Sequence, residues 1–245
     1  MKVLGVIPAR YQSTRFPGKP LVDIGGKTMI QRVYEQCEKC SDLDDVIVAT
    51  DDNRIFDHVN SFGKAVMTSA SHESGTDRCA EVMEIIDGDF DYVVNIQGDE
   101  PFISPSQISL LINEVSSSRG ELGTLVKVID DDETLFNNNT PKVVLSKDGN
   151  ALYFSRETVP HLRGVDKKDW INKFTFYKHI GIYAYRTDVL REVVKLEQGS
   201  LEQIEKLEQL RWLENGYKIK VGITKEESIG IDVPEDLEKI RSYLD

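Results

Sequence analysis

Short, mostly apolar runs mark the first half of the chain, at 3–7, 46–49, 65–67, 92–96 and 122–129. Between the runs, apolar positions fall three and four apart: Ile30, Val33, Tyr34 and Cys37; Cys79, Val82, Met83 and Ile86; Ile108, Leu111, Ile112 and Val115. The runs have the character of strands buried on both faces, and the spaced sets that of helices burying one stripe. Near-continuously apolar strands, each followed by a helix, predict an α/β fold with a mostly parallel central sheet flanked by helices. Ligands of such sheets gather at the carboxyl ends of the strands, so chemistry is expected just after each run.

From about residue 130 the pattern changes. Segments 142–146, 151–156 and 179–186 read as strands without regular helices between them, and the polar stretch 157–178 reads as a loop or lid. Helices are expected over 187–197 and 201–215, then a strand over 218–224 and a final helix opened by Pro234. No repeat or low-complexity tract interrupts the chain. The economical organisation is one domain over 1–245, in which 1–130 and 216–245 form a core and about 131–215 a mixed-sheet insertion.

Composition narrows the class. With 40% hydrophobic and 29% charged residues the 245-residue chain reads as soluble and globular. No stretch approaches the roughly 20 apolar residues of a membrane span. The first apolar run is too short for a signal peptide and is followed by Pro8 and Arg10, so a cytoplasmic protein is expected. A net charge of -12 disfavours nucleic acid as a partner. Cys37 and Cys40 form a C-x-x-C, but no second Cys/His pair stands at zinc spacing, and buried thiols are expected.

Against that overall charge, the first 22 residues carry Lys2, Arg10, Arg15 and Lys19 and no acid. Crowded cations are costly unless an anion neutralises them, and a polyphosphate fits because Arg and Lys grip phosphate oxygens. Ser13, Gly18 and two prolines among them favour a defined loop over a solvated basic tail. Gly26-Lys27-Thr28 imitates the end of a phosphate-binding P-loop, but Leu21 stands where its first glycine belongs. A G-x-G-x-x-G fingerprint is also missing.

Carboxylates supply the complement. Asp99, in NIQGDEP, follows the fourth run where a parallel strand delivers its side chain to the ligand crevice. Beside a phosphate site, such a carboxylate suits Mg²⁺, which uses one or two carboxylates together with substrate phosphates. Asp232, in GIDVPEDLEK, is a second candidate, whereas Glu235 and Asp236 read as acids at a helix start. In the segment 72–78, Ser74 and Thr76 can cap a helix, and Arg78 lies one turn inside it. The histidines are scattered, with no Ser-His-Asp order, and His58 needs no role.

Together these pieces resemble one family: RYxSTRxPGKPL at the N-terminus, ATD at 49–51, SGT at 74–76, N-x-QGDEP at 95–101, KVV at 142–144, ALYFSR at 151–156, HIGIYAYR at 179–186, LEQLR at 207–211 and G-x-D-x-PEDLE at 230–238. The chain is similar over essentially its whole length to the 3-deoxy-manno-octulosonate (Kdo) cytidylyltransferases. The resemblance implies a nucleotide-diphospho-sugar transferase-like (Rossmann-like) fold, and cytidylyl transfer from CTP to Kdo for lipopolysaccharide synthesis. It also implies Mg²⁺ as cofactor and a homodimer. Carried over by motif, Arg10, Arg15, Lys19 and Asp99 are the catalytic residues, and Asp99 and Asp232 hold the metal. Pro8, Ala9, Ser13, Ser74, Arg78 and Gln97 join Arg10, Arg15 and Lys19 in holding the nucleotide. Gln97, Arg156, His179, Tyr183, Glu208 and Gln209 hold the acid sugar.

Elementary chemistry agrees, because phosphoryl transfer needs positioning and cations at the phosphate oxygens but no protein nucleophile. Arg156, ending a strand, is the expected partner of the sugar carboxylate, with Arg163 as a helper. Tyr183 reads equally as a packed strand aromatic. The chain departs from the family at NNNTPK before Lys142 and at HLRGVDKKDW over 161–170, which leaves Kdo and 8-amino-Kdo both open. A sialic acid synthetase would keep Arg10, Lys19 and Asp99 but not QGDEP and LEQLR together. A non-catalytic nucleotide-binding regulator would have lost a metal carboxylate or the loop lysine.

Overall fold

The structure, a computed structural model, describes residues 1–13, 16–227, 229–238 and 240. Each apolar run of the first half is a strand: β1 (Val3–Ala9), then, after the short ribbon β2 (Asp23–Ile24) and β3 (Lys27–Thr28), β4 (Asp45–Thr50), β5 (Ala65–Met67), β6 (Tyr92–Asn95) and β7 (Leu122–Val128). The helices between them are α1 (Met29–Glu38), α2 (Asn53–Val59), α3 (Gly75–Ile85) and α4 (Pro105–Ser118). Their starts are written in the sequence. The side chains of Thr28, Asp52, Ser74 and Ser104 each accept a backbone N–H of the first turn. Ser74 and Asp77 complete a reciprocal capping box. Gly25 and Gly26, at φ +60° and +81°, make the two-residue turn between β2 and β3, so Gly26-Lys27-Thr28 closes a hairpin and caps α1.

The second half supplies α5 (Asp132–Phe136), β8 (Lys142–Leu145), β9 (Ala151–Ser155), α6 (Trp170–Lys173), β10 (Tyr177–Arg186), α7 (Thr187–Val193), α8 (Ser200–Glu205), α9 (Gln209–Glu214) and β11 (Ile219–Thr224). Among the described residues the main sheet has nine strands in the order β11-β7-β10-β6-β1-β4-β5, with the β8–β9 hairpin attached to β10. β1 runs parallel to β4 and β6, while β10 is antiparallel to β6 and β7. The expected mostly parallel sheet with a mixed-sheet insertion is therefore present. Apolar side chains cover both its faces: α1 and α4 pack with Val94 and Ile182 on one side, and α3, α7 and α9 pack with Val93 and Tyr185 on the other.

Three expectations are corrected. The helix expected over 201–215 is two, because Lys206 adopts φ +54° and bends the chain between α8 and α9. The bend lets Leu207, Leu210 and Trp212 stay buried while Glu208 turns out of the core packing. The polar segment 157–178 is pinned rather than free: Trp170 is 2% exposed, stacks on Phe176 and donates its indole N–H to the Val165 carbonyl. The helix begun by Pro234 is a 3-10 turn over Pro234–Glu238. Cys37, Cys40 and Cys79 are buried free thiols, as expected.

Candidate active site

The carboxyl ends of β1 and β6 open into a cleft of about 680 Å³. Its wall includes Pro8 and Ala9 at the end of β1, Arg10, Ser13 and Lys19 after it, Ser74, Gly75 and Arg78 from the start of α3, and Asn95, Gln97, Gly98 and Asp99 from the end of β6. Tyr183 of β10 and Glu208 close it. An adjoining cavity of about 600 Å³ shares Glu73, Ser74 and Glu208 with the cleft and is edged by Lys206 and Arg211.

Close backbone approach makes this convergence possible. A Cβ at Gly98 would lie 2.7 Å from the Pro8 carbonyl oxygen, so the turn after β6 can pass β1 only as glycine. A Cβ at Gly75 would crowd Pro8 and Asn95 at 3.3 and 3.1 Å. The loop after β1 is shaped by its own side chains. The Gly18 N–H donates to the Tyr11 carbonyl, the Ser13 hydroxyl accepts the Phe16 N–H, and Gly18 takes φ +74° against the Tyr11 ring. Arg54 stacks on that ring at 3.3 Å from its centroid. Arg15 lies outside the described residues.

At the cleft mouth the Lys19 ammonium donates to Asp99 at 2.7 Å and stands 3.6 Å from Asp232. Asp232 reaches this point because the Ile231 N–H donates to the Asp99 carbonyl. The Asp236 carboxylate accepts the N–H groups of Asp232 and Val233, which is the helix-start role its position suggested. Two carboxylates thus face one positive point at the mouth of a cleft large enough for a nucleotide. That donor set fits Mg²⁺, which takes few protein oxygens and completes its shell with water and phosphate. Among the described residues no three His, Cys, Asp or Glu side chains converge, so a metal would be held jointly with a ligand rather than caged by protein.

The guanidinium of Arg10 donates to the His72 carbonyl, and its pKa is lowered by burial and by Arg78. Arg78 is fully buried, paired with Asp51 at 2.7 Å and donating to Thr68 at 2.6 Å. It does not swing freely into the crevice: the ends of β4 and β5 hold it, and only its Nε is left without a partner. The buried Nε of Arg78, Oδ1 of Asn95 and hydroxyl of Tyr183 all lack a hydrogen-bond partner among the described residues, and all three residues line the cleft. Orphaned buried polar atoms are costly, so three at one wall mark where a ligand supplies the missing bonds. Asn95 was not singled out from the sequence. Its signal was there, as a polar residue ending an otherwise apolar run.

The residues expected to hold the sugar divide. Gln97, Tyr183 and Glu208 line the cleft, with Gln97 donating to the Gly181 carbonyl at 2.8 Å. Thr76 does not cap α3; its hydroxyl donates to Glu208 at 3.0 Å, and burial raises the Glu208 pKa. Arg156, His179 and Gln209 stand away from the wall. The Arg156 guanidinium is engaged by the carbonyls of Glu205, Lys206 and Asn138. His179 shares a hydrogen bond with Thr124 at 3.0 Å and packs against Phe154 and Tyr183, and burial lowers its pKa to about 4. Gln209 is buried behind Glu208, its amide nitrogen unpartnered among the described residues.

Comparison with known proteins places this geometry. A cytidylyltransferase family model matches residues 4–220. A 3-deoxy-manno-octulosonate cytidylyltransferase of Bacteroides thetaiotaomicron is 59% identical, over all of this chain and 98% of that one. Another, from Thermodesulfovibrio yellowstonii, is 49% identical over 100% and 98%. The solved structure of CMP:2-keto-3-deoxy-manno-octonic acid synthetase complexed with CTP superposes with a TM-score of 0.92 at 42% identity, covering 100% and 98% of the two chains. The fold alone is shared with 4-diphosphocytidyl-2C-methyl-D-erythritol synthase of Anaerococcus prevotii, at TM-score 0.65 and 14% identity over 99% and 98%. By its family model, its full-length relatives and its fold, the chain belongs to the cytidylyltransferase family, among the 3-deoxy-manno-octulosonate enzymes.

Proposed function

We propose that the protein transfers the cytidylyl group of CTP to Kdo, with Mg²⁺ as cofactor, giving CMP-Kdo and pyrophosphate. The observation that carries this reading is Lys19 set between Asp99 and Asp232 at the mouth of a cleft that also holds Arg10. In the reaction a sugar hydroxyl oxygen forms a bond to the α-phosphorus. The bond from that phosphorus to the bridging oxygen breaks, pyrophosphate leaves with the electron pair, and the hydroxyl proton passes to solvent.

Negative charge grows on the nonbridging oxygens and on the departing pyrophosphate. Arg10 and Lys19 offer fixed positive charge there, and such preorganised electrostatics is the main catalytic resource of phosphoryl transfer. Asp99 and Asp232 would hold Mg²⁺, which when bound adds positive charge to the phosphate oxygens. The orphaned polar atoms of Arg78, Asn95 and Tyr183 orient the ligands, and Gln97 and Glu208 offer bonds to sugar hydroxyls. CMP-Kdo is the activated form from which lipopolysaccharide core is built. None of the helices, among the described residues, is long and apolar enough to cross a membrane; the reading proposed here is of a cytoplasmic enzyme acting as a homodimer.

The test is pyrophosphate release with Mg²⁺, pairing CTP, UTP and ATP with Kdo, 8-amino-Kdo, sialic acid and no sugar. Release with CTP and Kdo above every other pair is the expected result. Release supported by 8-amino-Kdo or sialic acid alone would replace the substrate. No release with any pair would favour a nucleotide-binding regulator.

A further inference from the structure

The amino ends of the sheet carry a second cavity, of about 470 Å³. Strand register fixes its place: Arg186 pairs with Tyr92 where β6 begins, whereas Asn95 at the other end of β6 faces the catalytic cleft. Glu121 and Lys218, just before β7 and β11, stand at the same amino end. The sheet therefore separates this cavity from the site already described.

Four cations line it, Arg119, Arg186, Lys218 and Lys220, against one carboxylate, Glu121. In a protein of net charge -12 such a concentration of one sign needs a cause. The cations come from different elements: the end of α4, the end of β10 and the start of β11. The Glu121 carboxylate accepts the Lys218 backbone N–H at 3.1 Å, and Arg186 is paired with Asp188. Lys220 donates one proton to the Asp148 carbonyl at 2.7 Å. The side chains of Arg119 and Lys218 have no ion pair or hydrogen bond among the described residues. A cation at a helix end is ordinarily explained by the helix dipole. That explanation covers Arg119 alone, and the last carbonyls of α4 are already capped by the N–H groups of Arg119 and Gly120.

The rest of the lining is polar or glycine, with Ser118 and Asn150 as neutral hydrogen-bonding groups and no aromatic or aliphatic side chain. A nucleobase has nothing to stack on there, and a lipid nothing to bury against. We propose that this cavity binds a small inorganic oligophosphate, whether the pyrophosphate released at the other end of the sheet or a longer chain from elsewhere. The four cations, less Glu121, suit an anion of several negative charges.

Calorimetric titration with inorganic pyrophosphate, in metal-free buffer at physiological ionic strength, tests this. The wild-type protein should show two sites, and Lys19→Ala should lose one and keep the other. Lys218→Glu and Arg119→Glu should each weaken the remaining site by about tenfold or more, with Lys218→Arg retaining it. Turnover and melting temperature should be unchanged in Lys218→Glu, which shows that the fold is intact. Triphosphate and pyrophosphate should bind at least about tenfold tighter than orthophosphate, and their ranking identifies the source. A single site abolished by Lys19→Ala and untouched by Lys218→Glu overturns the proposal. So does equal, weak binding of all three anions. Because the remote site is read in the Lys19→Ala background, its failure is distinct from failure of the catalytic reading.

Discussion

The cleft is built from two halves of the chain that differ in how they use their residues. Strands β1 and β6, from the first half, deliver side chains directly to the wall. Arg10, Lys19, Gln97 and Asp99 follow strand ends, and each described one lines the cleft. The second half, about residues 131–215, supplies Tyr183 and Glu208 to the wall but keeps Arg156, His179 and Gln209 behind it. For His179 and Tyr183 the difference follows from strand direction. Parallel strands present their carboxyl ends to one crevice, whereas the antiparallel β10 only passes the cleft along its length. The first half lines the cleft at its strand ends, and the second lines it only with Tyr183 and Glu208.

The largest expected effect tests the contacting half. Asp99→Ala should lower pyrophosphate release by at least about a hundredfold while leaving the melting temperature nearly unchanged, and Lys19→Ala should behave alike. Near-normal release would dissolve the contrast between the halves. Arg156→Ala sharpens it from the other side. Losing bonds to three carbonyls should cost about 2 kcal/mol in urea unfolding, with the KM for CTP unmoved. A KM for the acid sugar raised more than about tenfold at unchanged stability would instead move Arg156 into the contacting set.

Smaller effects follow at residues on the border. Tyr183→Phe removes an orphaned buried hydroxyl, so stability should hold or rise slightly while the KM for the acid sugar increases about fivefold. Burial lowers the His179 pKa to about 4, below its ordinary value of 6.5. The unfolded chain then binds a proton between these values that the folded chain does not. Stability should therefore fall as pH drops from about 6.5 to 4, with a slope approaching about 1.4 kcal/mol per pH unit. His179→Asn should flatten that part of the profile. Glu208 has the opposite sign: its raised pKa means the folded state keeps a proton the unfolded chain has released, so stability falls as pH rises above the ordinary carboxylate range. Glu208→Gln should remove that decline.

Most of the first half was legible, because burial on both faces of a parallel strand writes a near-continuous apolar run, and a helix start writes a capping side chain. Asp99 and Asp232 were legible as acids after a strand and before a turn. The bend at Lys206 was not, since the leucine spacing of 201–213 continues through it and a left-handed lysine leaves no compositional mark. Arg156 is a related case. An arginine ending a strand reads as a ligand contact, and only tertiary packing shows three carbonyls engaging it. Asn95 was overlooked because a lone polar residue at a strand end is common and its orphaned oxygen is a property of its neighbours.

The hydrogen bond from Ile231 to Asp99 has a consequence for how the enzyme comes into being. Lys19 is made early in synthesis, and its second carboxylate, Asp232, on the order of two hundred residues later. A chain that has made only β1 to β7 already holds Lys19 and Asp99 but still lacks the second carboxylate proposed to hold the metal. On the proposed role of Asp232, activity waits for that late contact.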